Sequence, residues 1–145
     1  MSSSRLPRGE PGALYEQVIP VSSSADIVTA RQQGRALAAT LGFTGGDLTV
    51  IATAISELAR NIIEYAKTGD IALGRESGND RLGIVIAARD KGPGISDIPR
   101  ALSVGYSTGP GLGLGLAGVR RLMDEFEISS RPAQGTTVTV RKWLP

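Results

Sequence analysis

The chain has 145 residues, a length that suits one domain, and its 16 Lys and Arg against 14 Asp and Glu leave a net charge of +2. This balance is too even to indicate a nucleic-acid or membrane partner. The absence of cysteine and histidine excludes disulfides, thiol nucleophiles, Ser-His-Asp triads, phosphohistidine and His- or Cys-ligated metals. The sequence lacks both an apolar run of about 18 residues and a signal-peptide pattern, which predicts a cytoplasmic protein.

The N-terminal third predicts an arm, a strand and a helix. Residues 1–12 are rich in Pro, Gly and Ser and predict a disordered arm before a single domain over 13–145. Leu14–Pro20 predicts a short edge strand that ends at Pro20. Ser23 with Asp26 resembles a capping box, and the apolar spacing that follows predicts a helix that Gly42 stops.

The second predicted helix has the strongest periodicity in the chain. Apolar residues recur every three or four positions from Leu48 to Tyr65, and either Thr44 or Asp47 is expected to cap the helix. Glu57 and Asn61 are one turn apart, on a flank outside the apolar stripe that also carries Arg60 and Glu64. Taken alone, this flank is most simply interpreted as a solvated helix face.

The remainder predicts two hairpins around a glycine-rich segment (96–113), which has one helical turn near Pro99–Leu102, and a helix over Leu114–Glu125. Because hairpins outnumber crossovers, we expect an α+β two-layer sandwich, with a mixed or antiparallel sheet and helices on one face. A doubly wound parallel sheet would require strands and helices to alternate. The four predicted strands are Ile71–Leu73, Leu82–Ala88, Phe126–Ser130 and Thr136–Trp143.

A second group of polar and glycine residues follows the apolar strand that ends at Asp90. Asp90, Gly92 and Gly94 form an Asp-x-Gly-x-Gly segment, for which a simple turn is one interpretation. The other is a ligand site, in which Asp90 accepts a hydrogen bond from a ligand amino group. The glycines would then allow the backbone to approach that ligand closely.

Alternate glycines precede the third predicted helix. Their cost in chain entropy argues against a plain linker, and the N–H groups of a helix N-terminus favour a phosphate. The G-x-G-x-x-G match over 113–118 is not a dinucleotide fingerprint, because neither a preceding strand nor a following acidic residue is present. A P-loop motif is also absent. The segment consists of Gly109, Gly111, Leu112, Gly113, Leu114 and Gly115.

These motifs occur in one order: Glu57-x-x-x-Asn61, Asp90-x-Gly92-x-Gly94, the glycine segment and then Gly135-Thr136. That order resembles the GHKL superfamily, whose Bergerat fold is shared by gyrase, Hsp90, histidine kinases and MutL. Residues 55–62 and 113–126 further resemble RsbT-type serine/threonine switch kinases of the bacterial stressosome, as does the ending Lys142-Trp-Leu. The chain has no room for the transducer domain of the clamp ATPases and no histidine to accept a phosphate.

The resemblance implies a role for each motif. Glu57 would be the general base, and Asn61 would hold Mg²⁺ through its side-chain oxygen. Asp90 would bind the adenine amino group of ATP with support from Thr136, and Gly92 and Gly94 would let the base and sugar approach. The segment from Gly109 to Gly115 would form a lid and phosphate cradle, which we expect to be mobile without nucleotide.

The resemblance also implies partners. Kinases of this type phosphorylate a Ser or Thr of a STAS-domain antagonist (RsbS-like) in the stressosome, then bind and activate a PP2C-type phosphatase (RsbU-like). This partner switching belongs to a stress response and involves neither nucleic acid nor membrane. One alternative is an ATP-bound anti-sigma factor that acts mainly by sequestering its partner. Another is an ATP-sensing switch without transfer activity, against which the intact Glu57 argues.

Overall fold

The computed structural model describes residues 13–78, 80–94, 102 and 115–145. The predicted arm (1–12) and all but Leu102 of the predicted helical turn near 99–102 lie outside these residues. The strands are β1 (Ala13–Val21), β2 (Gly69–Gly78), β3 (Arg81–Asp90), β4 (Glu125–Arg131) and β5 (Gly135–Trp143). The helices are α1 (Ser24–Leu41), α2 (Gly46–Ala66) and α3 (Gly115–Leu122).

The five described strands form one antiparallel sheet in the order β1-β2-β3-β5-β4. This confirms the expected α+β sandwich and resolves its sheet as antiparallel. β1 is an edge strand as predicted, but it continues past Pro20 to Val21. Proline lacks an N–H, and an edge strand tolerates that loss because one of its sides has no pairing strand.

The ends of α1 follow the sequence closely. The Asp26 carboxylate accepts hydrogen bonds from the backbone N–H groups of Ser22 (2.8 Å) and Ser23 (3.1 Å). At the other end, Gly42 adopts a left-handed conformation with φ 114°. Both ends therefore confirm the predicted capping acid and the predicted glycine stop.

Two other helix boundaries were predicted wrongly. The N-cap of α2 is Gly45, and neither Thr44 nor Asp47 caps the helix with its side chain. α3 ends at Leu122 rather than at residue 125, and Glu125 already begins β4. In the second case, pairing with β5 takes the residues at the end of the helical pattern into the sheet.

The main core lies between the sheet and the helices, which are all on one face. α2 contacts both α1 and α3 as well as the sheet. The largest apolar side chains of the described residues are fully buried here, among them Ile55, Leu58, Leu73, Ile86 and Val140. None of the described helices has the length and apolarity needed to cross a membrane.

One transverse row of the sheet brings separate motifs together. The strand register pairs Gly69 of β2 with Asp90, Asp90 with Thr136 of β5, and Thr136 with Ser130 of β4. Asp90 and Thr136 each lie two positions from a core residue of the same strand, Ala88 and Val138 respectively. Residues at that spacing in a strand point to the same face of the sheet. The row therefore lies at the end of the sheet, on the face that carries the helices.

Candidate functional site

Glu57 lies in the middle of α2 and is only 7% exposed. The helix is buried over most of its circumference, because it packs between two other helices as well as on the sheet. The simple interpretation of this flank as a solvated face is therefore wrong for Glu57. Burying a carboxylate costs free energy unless a partner compensates its charge, so the burial of Glu57 marks it as a candidate functional residue.

Arg60 supplies the partner of this carboxylate. Its Nη1 donates a hydrogen bond of 2.6 Å to Oε1 of Glu57, one helical turn earlier. The Arg60 side chain is 39% exposed and that of Glu57 is 9% exposed, so the pair reaches from the interior to the surface.

Asn61 lies one turn beyond Glu57 on the same side of α2 and is half-buried. Its amide offers one oxygen donor, of the hard type that Mg²⁺ prefers. The described residues contain no cluster of three or more acidic groups that could enclose a metal by themselves. This donor set fits an Mg²⁺ whose other ligands are phosphate and water, since such ions use few protein ligands.

The second half of the site begins at Asp90, the last residue of the central strand. Its Oδ1 accepts a hydrogen bond of 2.9 Å from the backbone N–H of Gly92. This bond forms an Asx turn, so the turn interpretation of the motif holds. The bond occupies Oδ1 and leaves Oδ2 as the oxygen that can accept a further hydrogen bond from a ligand.

The Thr136 hydroxyl completes this end of the site. It lies 2.8 Å from Oγ of Ser130, and that Oγ donates a 3.2 Å hydrogen bond to the backbone carbonyl of Gly135. A cavity of ≈ 290 Å³ opens beside these groups. Its lining includes Asp90, Ser130, Gln134, Gly135 and Thr136.

Glycines let the helix and the strand ends approach each other. A Cβ atom added to Gly69 would lie 2.8 Å from Cγ2 of Ile62 and 3.2 Å from Cβ of Asp90. A Cβ atom added to Gly92 would lie 2.6 Å from Cβ of Ala66. The turn of α2 that follows Asn61 therefore packs directly against the Asp90 end of the sheet.

The last motif glycine is also required by the fold. Gly94 has φ 80°, and a side chain there would collide with the backbone carbonyl of Arg131. Nearby, the Ala133 N–H donates a 2.7 Å hydrogen bond to the carbonyl of Pro93. Gly92 and Gly94 thus have packing roles of their own, in addition to the ligand role that the sequence suggests.

The glycine segment is mostly outside the described residues: this holds for Gly109, Gly111, Leu112, Gly113 and Leu114. Gly115 is described and begins α3 with φ 67°, a conformation that favours glycine. α3 contacts α2, the helix that carries Glu57 and Asn61.

Two residues of this neighbourhood received no role from the sequence. Ser130 lies in a strand among alternating residues, and nothing in the sequence indicates its pairing with Thr136. Arg60 was grouped with the flank of α2, yet three-residue spacing to an acidic residue is a recognisable ion-pair signal. The missing information was the burial of Glu57, which depends on how the helices pack.

The sequence of the chain matches a known protein family. The family described as histidine kinase-, DNA gyrase B- and HSP90-like ATPase matches residues 46–145. The serine/threonine-protein kinase RsbT of Bacillus subtilis (strain 168) is 46% identical over 129 residues, covering 89% of this chain and 97% of that protein. An anti-sigma F factor of Clostridium beijerinckii is 32% identical over 129 residues, covering 84% of this chain and 89% of that protein.

Solved structures support the same fold. The mycobacterial sensor histidine kinase MprB aligns with a TM-score of 0.54 at 18% identity, covering 90% of this chain and 97% of that one. The catalytic domain of the histidine kinase ThkA aligns with a TM-score of 0.51 at 17% identity. The predicted Bergerat-type fold and the predicted likeness to RsbT-type kinases are both confirmed. The chain belongs to the histidine kinase-, DNA gyrase B- and HSP90-like ATPase family, which is the GHKL superfamily, and within it the chain is a protein kinase.

Proposed function

We propose that the chain is a serine/threonine protein kinase that transfers the γ-phosphate of ATP to a STAS-domain antagonist in a bacterial stress-response pathway. The observation that carries this proposal is the buried carboxylate of Glu57, one helical turn from Asn61 on the helix that packs against the Asp90 end of the sheet. The chain has no histidine, so a carboxylate is the natural base for a hydroxyl acceptor. The 46% identity to a protein named serine/threonine-protein kinase supports this choice.

In this proposal the nucleotide base binds at the transverse row of the sheet. Oδ2 of Asp90 accepts a hydrogen bond from the adenine amino group, and the Thr136 hydroxyl supports it from the neighbouring strand. Gly92 and Gly94 keep the turn close to the base and sugar. The segment that comprises Gly109, Gly111, Leu112, Gly113, Leu114 and Gly115 serves as lid and phosphate cradle.

Asn61 is the residue that would hold Mg²⁺, through its amide oxygen. The bound ion would neutralise charge on the phosphates, which is the main requirement of phosphoryl transfer. Asn61 is half-buried, so part of its surface is open to a ligand. Its place in the helix fixes it one turn from Glu57, so both can act on the same phosphate end of ATP.

The transfer step assigns one task to Glu57. The acceptor hydroxyl passes its proton to the Glu57 carboxylate while its oxygen forms a bond to the γ-phosphorus. The bond between that phosphorus and the β–γ bridging oxygen breaks, and ADP leaves with the electron pair. Positioning supplies most of the rate, and a base of this kind adds a factor of about 10²–10⁴.

The partners follow from the same likeness. The acceptor would be a small STAS-domain protein (RsbS-like) in a stressosome. The released kinase would then bind and activate a PP2C-type phosphatase (RsbU-like), in a cytoplasmic partner-switching cycle. Binding to each of these partners can be tested by pull-down, separately from phosphotransfer.

The first experiment incubates the protein with γ-labelled ATP, Mg²⁺ and a STAS-domain protein from the same organism. We expect label on a Ser or Thr of the STAS protein, and we expect Glu57→Ala to reduce the rate by about 10²–10⁴-fold. Glu64→Ala is the matched control, because Glu64 is a half-buried carboxylate two turns further along the same helix. Full transfer by Glu57→Ala would show that the base assignment is wrong.

A second candidate function is an ATP-bound anti-sigma factor that mainly sequesters its partner. The observation in its favour is the 32–34% identity to several proteins named anti-sigma F factor. A pull-down with sigma factors and with the phosphatase separates the two. Tight nucleotide binding without phosphotransfer, together with capture of a sigma factor, would favour this second function.

A further inference from the structure

Glu57 and Arg60 form an ion pair on α2 in which one partner is buried and the other is partly exposed. The Glu57 side chain is 9% exposed, and the distance from its Oε1 to Nη1 of Arg60 is 2.6 Å. Exposed i,i+3 pairs on helices are worth only a few tenths of a kcal/mol, because solvent screens them. Here one partner is buried, so the contact affects how the carboxylate is held rather than only how stable the helix is.

The chemistry of the two groups makes the contact directional. An arginine keeps its charge at any pH at which the protein is folded, and its guanidinium is planar with donors in a fixed arrangement. A charge-assisted hydrogen bond of this length orients the carboxylate that accepts it. Among the described residues, Arg60 is the side chain that hydrogen-bonds to Glu57. Removing it would leave a buried carboxylate without that donor.

We propose that Arg60 is a positioning residue for Glu57: it holds Oε1 and leaves Oε2 to take the proton of the acceptor hydroxyl. This inference rests on the proposed kinase function. Arg60 touches neither ATP nor the acceptor in this role and acts through Glu57. The sequence places the two residues one turn apart, and the 39% exposure of the Arg60 side chain leaves it accessible from the solvent side.

The role has a kinetic consequence. The proton moves from the hydroxyl to Oε2 while Oε1 keeps its hydrogen bond to Arg60, so the carboxyl group stays in place as its charge is neutralised. A base that loses this support rotates about its side-chain bonds, and misplacement of about 1 Å can cost 10²-fold in rate. ATP binding is unaffected in this account, because its contacts lie at Asn61, at the strand ends and in the glycine segment rather than at Arg60.

The test compares Arg60→Met with Arg60→Lys in the labelled-ATP assay, using the full chain and the STAS-domain substrate. Arg60→Met keeps the length of the stem but removes the donor, and we expect kcat to fall about 10- to 100-fold with an unchanged KM for ATP. Arg60→Lys restores a charged donor without the planar geometry, so we expect it to recover part of kcat. Arg35→Met is the control, since Arg35 is exposed on α1 and has no ion pair with another described residue.

The outcomes separate this inference from the proposed function. Transfer that survives Glu57→Ala overturns the base, and with it the role of Arg60. Loss of transfer in Glu57→Ala with full kcat in Arg60→Met overturns the positioning role alone. A raised KM with unchanged kcat in Arg60→Met would make Arg60 a nucleotide contact instead, which also overturns it. Circular dichroism checks folding, and Arg60→Lys carries the same comparison if Arg60→Met does not fold.

Discussion

The two faces of the same sheet are built on different principles. On the face that carries the helices, the central strands present large aliphatic side chains that are fully buried. On the opposite face the same strands present small residues, and the buried cluster found there among the described residues consists of Tyr15, Ala72, Val85 and Ala87. In the described parts of the chain, all three helices pack on the first face, and none of them covers the second.

Arg141 is a buried cation that links neighbouring strands on the opposite face. Its side chain is 4% exposed and bridges three strands, with Nε 2.8 Å from Glu76 of β2 and Nη1 2.9 Å from Glu127 of β4. Burial disfavours its charge, but the hydrogen bonds and charges of Glu76 and Glu127 outweigh this and raise the pKa of Arg141. One face is therefore held by apolar burial and the other by a bridging cation.

The largest expected effect comes from a cavity on the helix face. Leu73→Ala removes a side chain that is 0% exposed and that lies between β2 and α1, near Gly34. We expect a loss of about 2–5 kcal/mol in the free energy of unfolding, measured by urea denaturation, because the surroundings collapse only partly. Leu14→Ala is the control, since Leu14 is 61% exposed on β1 and should cost within about 0.5 kcal/mol.

This pair of variants tests whether apolar burial stabilises the face that carries the helices. Equal losses for Leu73→Ala and Leu14→Ala would mean that burial against the helices contributes little. The measurement therefore checks whether burial against the helices stabilises the core.

The opposite face predicts a smaller loss. Arg141→Met keeps the aliphatic stem but leaves Glu76, whose side chain is 14% exposed, without its guanidinium. We expect a cost of about 1–3 kcal/mol, below that of a dry buried pair because Glu127 is 55% exposed and remains hydrated. Adding Glu76→Gln should recover part of the loss, since the unpaired charge is then removed.

The exposed pair of Arg75 and Glu16 provides the control for this experiment. Their side chains are 38% and 31% exposed, so solvent screens the pair and Arg75→Met should destabilise the protein clearly less than Arg141→Met. If Arg141→Met costs no more than Arg75→Met, the bridging cation is not what holds the opposite face together. The small residues beneath it would then have to account for the packing by themselves.

Much of the fold was accessible from local patterns. The 3.6-residue period located α1 and α2, because it reflects burial on one side of a helix. Turn residues between short apolar runs located the hairpins. The cap of α2 and the end of α3 were missed for different reasons. A glycine N-cap has no side-chain signal, and the register with β5 decides where the helical pattern gives way to strand.

The site was accessible only in part. Spacing places Glu57 and Asn61 on one side of a helix, and the end of a strand places Asp90 in a turn. The burial of Glu57, its pairing with Arg60 and the contact of Ser130 with Thr136 all depend on tertiary packing. The roles of Glu57, Asn61, Asp90 and Thr136 therefore stay predictions that the kinase assays address.

The smallest predicted effect concerns pH and the opposite face. Burial raises the pKa of Tyr15 from its ordinary value of 10.0, and the charge of Arg141 partly opposes this. A phenol whose folded-state pKa is raised binds its proton more tightly in the folded chain than in the unfolded one. Its contribution to stability is therefore complete below about pH 10 and is lost as the pH rises through the folded value.

We expect Tyr15→Phe to flatten the decline in the free energy of unfolding above about pH 10, measured by urea denaturation at a series of pH values. In the Arg141→Met background the difference between Tyr and Phe should grow, because the cation that favours the phenolate is gone. Identical pH profiles for wild type and Tyr15→Phe would contradict the burial of this ring. That result would mean that water reaches the small-residue face, and that a bridging cation alone does not keep a sheet face dry.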